Sequence, residues 1–159
     1  MSDGTQLPWQ DSAVIIQSQR LLRSFQHWTG KVLLDVAGEP VEIARALFEA
    51  PFVLASHGME PDPIFYYGNR RALELWELDW EQFTRMPSRQ TAEPVEQEER
   101  YRILAETASK GFVSNYRGVR ISSTGKRFFV EDVIVWNVLD EQNQMCGQAA
   151  VIFQVHNLS

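Results

Sequence analysis

His57 stands at the end of an apolar run, and two acids, Glu60 and Asp62, follow it within five residues. A histidine beside carboxylates can act as a general base or hold a metal ion. The plainer reading is a histidine bonded to turn backbone, with the acids forming the turn around Pro61 and Pro63. His27 and His156 join no cluster, and neither His-x-x-x-His nor Cys-x-x-Cys occurs, so no metal ligand set is read. Cys146, the single cysteine, excludes an internal disulfide. Beside Gly147 in an apolar segment it reads as a small packed residue, because a nucleophilic thiol needs an activating partner that nothing nearby supplies. Ser122-Ser123-Thr124-Gly125-Lys126 has the residue types of a phosphate loop, but it separates two strand-like runs rather than opening a helix, and so reads as a hairpin turn. No Gly-x-Ser-x-Gly is present. No catalytic residue is assigned.

The remaining chemical signal is aromatic. Phe65, Trp76, Phe83, Tyr116 and Trp136, with Ile103 and Ala150, form a candidate ligand-pocket wall. Aromatic walls with a few polar groups suit a planar ligand. They equally suit a filled core, and both readings stay open. Gly118, Gly147, Ala149 and Ala150 leave room on the sheet for either.

Several elements must position these residues. From Val14, the residues Leu21, Leu22, Phe25 and Trp28 recur at helical intervals, with Ser12 as expected cap and Gly30 as stop. A second helix starts near Pro40 and buries Ile43, Ala44, Leu47 and Phe48. Phe52 to His57 reads as a strand, and Ile64 to Tyr67 as another. Asn69 caps a helix ending at Trp76, Asp79 caps a single turn to Phe83, and a longer helix runs from Pro94 to Gly111. Phe112–Ser122, Arg127–Val138 and Met145–Val155 are long strands joined by polar turns. Segregated strands and helices predict an α+β fold with one antiparallel sheet.

Strict alternation puts Phe128, Val130, Ile134 and Trp136 on one side of the fourth strand, and Phe129, Val133 and Val135 on the other. Both sides are apolar, so both faces of the sheet are expected to be covered. The middle helices cover one, and the N-terminal helices or a second subunit the other.

The segment "YYGNRRALELWELDWEQF", Tyr66–Phe83, resembles the part of a PAS sensor domain in which a strand ends at asparagine and a helix follows. "GVRISSTGKRFFVEDVIVWNVLDEQNQMCGQAAVIFQV", Gly118–Val155, resembles its three C-terminal strands. "PFVLASHGMEPDPIFYYGNRRALELWELDWEQFTRMPSR", Pro51–Arg89, resembles the PAS-related MEKHLA domain. The resemblance implies a five-stranded PAS-like sheet over 51–156, preceded by a helical extension over 1–50. It further implies a non-enzymatic sensory or protein-interaction module that binds a small molecule between sheet and helices, or simply associates, with homodimerisation through the N-terminal helices and outer sheet face. Flavin-photoreceptor relatives carry a reactive cysteine in the helical connection, but residues 85–99 contain none. Haem-binding relatives often use a histidine on the long connecting helix, but Pro94–Gly111 has none. The cofactor is therefore left open. The rival reading is a small acid–base enzyme with an apolar cavity, using His57 with Glu131 or Asp132.

Composition bounds these readings. The chain has 159 residues and a formal charge of −6, from 21 acidic and 15 basic residues. That excludes generic binding to nucleic-acid backbones, which requires a concentrated basic face. Lys126-Arg127, Arg70-Arg71 and the pair Arg117 and Arg120 read as solvated faces. The polar opening Met1–Gln6 lacks a signal-peptide pattern, and no apolar stretch is long enough to span a bilayer. A cytoplasmic, membrane-free protein is expected.

Overall fold

A computed structural model describes residues 7–158; Met1–Gln6, read above as lacking a leader pattern, lies outside them. The first helix, α1 (Ser12–Thr29), is capped by Asp11 rather than Ser12. The Asp11 carboxylate accepts the Ala13 N–H at 2.8 Å, which makes Ser12 the first helical residue. Gly30 ends the helix with a left-handed φ of 73°. The second helix, α2 (Pro40–Phe48), begins on its proline.

Then follow β1 (Val53–His57), β2 (Phe65–Gly68), α3 (Arg70–Trp76), the single turn α4 (Trp80–Phe83), α5 (Pro94–Lys110), β3 (Phe112–Ile121), β4 (Arg127–Leu139) and β5 (Met145–Asn157). The strands form one sheet in the order β2-β1-β5-β4-β3, with every neighbour antiparallel. The fold is α+β, as the segregated pattern predicts.

Asn69 ties the first half of the chain together. Its Oδ1 accepts the Ala72 N–H at 3.1 Å, capping α3, and also the Leu54 N–H at 3.0 Å. Its Nδ2 donates to the Phe52 carbonyl at 2.8 Å. One buried amide thus fixes both the start of α3 and its seat against β1.

Two apolar cores flank the sheet. On one face α1 lays Val14, Leu21 and Phe25 against Leu54, Tyr67, Trp136, Val138 and Val151. The cover on this face comes from the chain's own N-terminal helices. Trp28, near the end of α1, donates its indole N–H to the Asn137 carbonyl at 2.8 Å. Its ring lies over Gly111, whose φ of 96° and missing side chain allow the approach. On the other face α3, α4 and α5 close over Ala55, Phe128, Val130, Val133, Val135 and Ile152.

These cores correct the strict alternation expected for β4. Val130 and Val133, three residues apart, share one face, and Ile134, Trp136 and Val138 occupy the opposite one. Asp132 lies between them with a left-handed φ of 55°, and Asn115 on the neighbouring strand has φ 58°. The β3–β4 register shifts on both sides of Tyr116. A one-residue irregularity exchanges the faces of everything beyond it. Trp136 is thereby turned away from Phe128 and packed edge-on against Phe25, ring centroids 5.0 Å apart.

Candidate ligand-binding site

Between the sheet and the α3–α5 face lies a cavity of about 90 Å³. Val130, Val133 and Val135 of β4, Ala150 and Ile152 of β5, and Ala55 of β1 form its floor. Phe65, Trp76, Ile103 and Leu104 enclose it, and His57, Thr91, Arg100, Tyr116, Arg120 and Gln148 supply its polar groups.

Of the seven residues proposed as a pocket wall, Phe65, Trp76, Ile103, Tyr116 and Ala150 meet in this cavity. Phe83 stands one layer behind, its ring stacked on Phe65 at 4.3 Å between centroids. Trp136 is excluded. The reversal at Asp132 buries it on the other face, under α1.

The sequence reading missed the cavity's two cations. Arg120, expected on a solvated face, is only 9% exposed. The available signal was its period-two spacing with Tyr116 and Gly118 on β3. Gly118 creates the space: a methyl there would sit 2.9 Å from Tyr116 Oη and 3.1 Å from Arg120 Nη1. Arg120 Nη2 donates to Tyr116 Oη at 3.0 Å, and Nη1 to the Val119 carbonyl at 2.8 Å. Arg100 lies one helical turn before Ile103 and Leu104 on α5, so the apolar stripe carries it to the cavity.

A directed chain of hydrogen bonds starts at Arg100. Its Nη2 donates to Ser88 Oγ at 2.6 Å, and Ser88 meets His57 Nδ1 at 2.7 Å. His57 Nε2 faces Gln148 Oε1 at 3.3 Å, and Gln148 Nε2 donates to Asn137 Oδ1 at 3.2 Å and the Leu104 carbonyl at 2.9 Å. Because Gln148 commits its Nε2 as a donor to Leu104 and Asn137, its Oε1 accepts from His57 Nε2, and Nδ1 is left to accept the Ser88 proton. His57 is then the neutral tautomer with hydrogen on Nε2, donating to Gln148. The chain pins α5 to the sheet.

Burial, and secondly the nearby Arg100 cation, lower the His57 pKa from 6.5 to about 4, against the opposing pull of Gln148 and Glu60. The unfolded chain therefore takes up this proton first as pH falls. The stabilisation is complete above pH 6.5 and is lost as pH drops toward 4. Between pH 7.5 and 5 this single group is expected to remove about 2 kcal/mol of stability. His57→Gln should flatten urea-unfolding stability across that window. An unchanged pH slope in the variant would show that another group is responsible.

The acid–base pair proposed for an enzyme does not assemble. His57 sits on β1 among Ser88, Gln148 and Arg100, while Glu131 pairs with exposed His156 at 3.0 Å and Asp132 is exposed at the strand irregularity. Nor is Cys146 activated: burial pushes its thiol pKa up, and it packs against the α1 side of the sheet. Among the described residues no group of three or more His, Cys, Asp or Glu is placed to hold a metal. None of their helices is long and apolar enough to cross a membrane.

Flavin and haem can be tested against this geometry. The cavity is far below the ~300–1,000 Å³ of drug-sized ligand sites. Its lining has no cysteine to form an adduct with flavin. Both ring nitrogens of His57, the one histidine there, have partners within the hydrogen-bond chain. The residues fit neither a cysteine-linked flavin nor an axially held haem.

Solved structures share the fold. A PAS domain from Colwellia psychrerythraea superposes with a TM-score of 0.64 at 14% identity, covering 72% of this chain and 95% of that one. A PAS domain from a two-component sensor histidine kinase gives 0.55 at 18% identity, covering 71% and 90%. A light-oxygen-voltage domain studied with a flavin analogue gives 0.58 at 13%, covering 74% and 85%. A search of curated proteins finds no similar sequence. The MEKHLA domain family matches residues 15–157, taking in most of α1, all of α2 and the entire sheet. With that match over nearly its whole length and a PAS-type sheet beneath it, the chain belongs to the MEKHLA domain family.

Proposed function

We propose that this protein is a non-enzymatic sensory module whose cavity takes a small molecule and whose N-terminal helices transmit the occupied state. The observation that carries the reading is the two-sided use of β4. Val133 and Val135 line the cavity, while the interleaved Ile134, Trp136 and Val138 pack on the α1 side. A ligand pressing on the first set alters the support of the second, so occupancy and the seating of α1 are energetically coupled. Trp28 adds a second path, because it bonds the β4 backbone and covers the end of α5 at Gly111.

The module acts in a membrane-free, cytoplasmic setting and associates as a homodimer through the outward side of α1, where Ile16 is exposed. Native mass spectrometry of the purified full chain tests these points together. The expected spectrum shows a dimer whose mass exceeds the bare chains by a small molecule, with that mass lost in Val135→Trp, which fills the cavity. A bare-mass protein whose spectrum and stability ignore Val135→Trp would favour a filled interaction module instead.

A further inference from the structure

We propose that the cavity is built for a small organic carboxylate, with its acid group held by Arg100 and Arg120 and its compact apolar body against Val130, Val133 and Val135. The inference rests on reading the cavity as a ligand site, and goes further by naming the ligand's chemistry.

Arginines withdrawn from water normally meet a carboxylate, because an unpaired buried charge is costly. Here Arg120 is buried and Arg100 half-buried, and neither forms an ion pair among the described residues. Arg120 is satisfied only by the Tyr116 hydroxyl, the Val119 carbonyl and the Tyr116 ring, which lies 5.6 Å from its guanidinium carbon. Arg100 has the Ser88 hydroxyl. Glu99 reaches Arg120 only indirectly: Tyr116 Oη donates to this exposed carboxylate at 3.4 Å. Burial and the second cation, Arg120, lower the Arg100 pKa to about 10, opposed by Tyr116, Asp62 and Tyr101, so the two guanidiniums work against each other. An anion between them would relieve both effects at once. A third donor at this wall is unpaired. Trp76 lines the cavity, is 5% exposed, and carries a buried indole N–H without an acceptor.

The remaining wall sets the rest of the ligand. Valine, isoleucine and aromatic side chains accept a hydrocarbon body and reject a densely polar one. At about 90 Å³ the cavity lies well below a drug-sized site and admits only a compact ligand. That scale suits a branched short-chain or single-ring carboxylate. Arginine's planar fork matches a carboxylate in two-point contact, which favours this anion over a halide.

The test is calorimetric titration of the full chain with isovalerate and benzoate, their neutral amides isovaleramide and benzamide, and sulfate. Binding of at least one carboxylate is expected, weakened by about tenfold or more in its amide. The same loss is expected in Arg120→Met, whose ligand-free melting temperature should equal or exceed that of the parent because a buried charge is removed. Arg100→Met provides a second variant that leaves the Arg120–Tyr116 contact in place. Amides binding as tightly as acids would overturn the carboxylate assignment while leaving the cavity a ligand site. Sulfate matching the carboxylates would reduce the site to an inorganic-anion site and overturn the organic class. No carboxylate binding at about 10 mM would overturn the proposal, and native mass spectrometry would then decide separately whether the cavity is occupied at all.

Discussion

Asn69→Ala is expected to lower the free energy of unfolding by about 3–7 kcal/mol, from about 1 for the lost helix cap and 1–3 for each of the two other buried backbone groups left without a partner. The side chain is fully buried, and three backbone groups depend on it: the N–H of Leu54, the N–H of Ala72 and the carbonyl of Phe52. Alanine fits the space but satisfies none of them, and water cannot reach the site. Asn69→Ser would keep an acceptor for the α3 cap but could not span the distance to β1, so it should recover only a minor part of the loss. Urea unfolding of the three proteins provides the comparison. A loss below about 1 kcal/mol in Asn69→Ala would mean that Asn69 acts only as an ordinary surface cap, a value typical of such sites.

Removing residues 1–39 is expected to abolish soluble, cooperative folding, because the α1 face of the sheet becomes a bare apolar surface. Leu54, Tyr67, Trp136, Val138 and Val151 all lose the cover of Val14, Leu21 and Phe25. Patches of this kind drive association in water. The milder variant Phe25→Ala keeps the helix and removes the ring packed on Trp136, and should cost about 3–5 kcal/mol, as for other large-to-small changes in a closed core. Size-exclusion chromatography of the truncation and urea unfolding of Phe25→Ala read the two effects. A truncated chain that stays soluble, monomeric and equally stable would refute the covering role, and with it α1 as the element that senses cavity occupancy. The family match across 15–157 accords with α1 belonging to the folded unit.

Much of this architecture was legible in local patterns. The three-and-four spacing from Val14 to Trp28 marks α1, Pro40 and Pro94 mark helix starts, and Asn69 and Asp79 cap the helices that follow them. Each is a short-range effect: a cap, a ring that fixes φ, or an apolar stripe repeats wherever the same residues occur. The two-faced hydrophobicity of the last strands likewise announces a sheet covered on both sides. Most of the aromatic pocket wall came from assigning residues to helices and strands whose inner faces must meet.

What could not be read locally depended on one backbone angle and on distant pairing. Asp132 in the left-handed region reverses the faces of β4, which sends Trp136 to α1 and brings Val133 and Val135 to the cavity. Aspartate tolerates that conformation without requiring it, so the residue type alone is no signal. Arg100 and Arg120 look like surface cations on α5 and β3, and only the packing of those elements across one cavity shows them facing a common space without an acid. The His57 hydrogen-bond chain gathers residues from β1, β4, β5, α5 and the turn at Ser88, separated by up to 91 positions. Caps and apolar spacings follow from neighbours along the chain, whereas the polarity of a cavity follows from which faces the tertiary packing turns toward it.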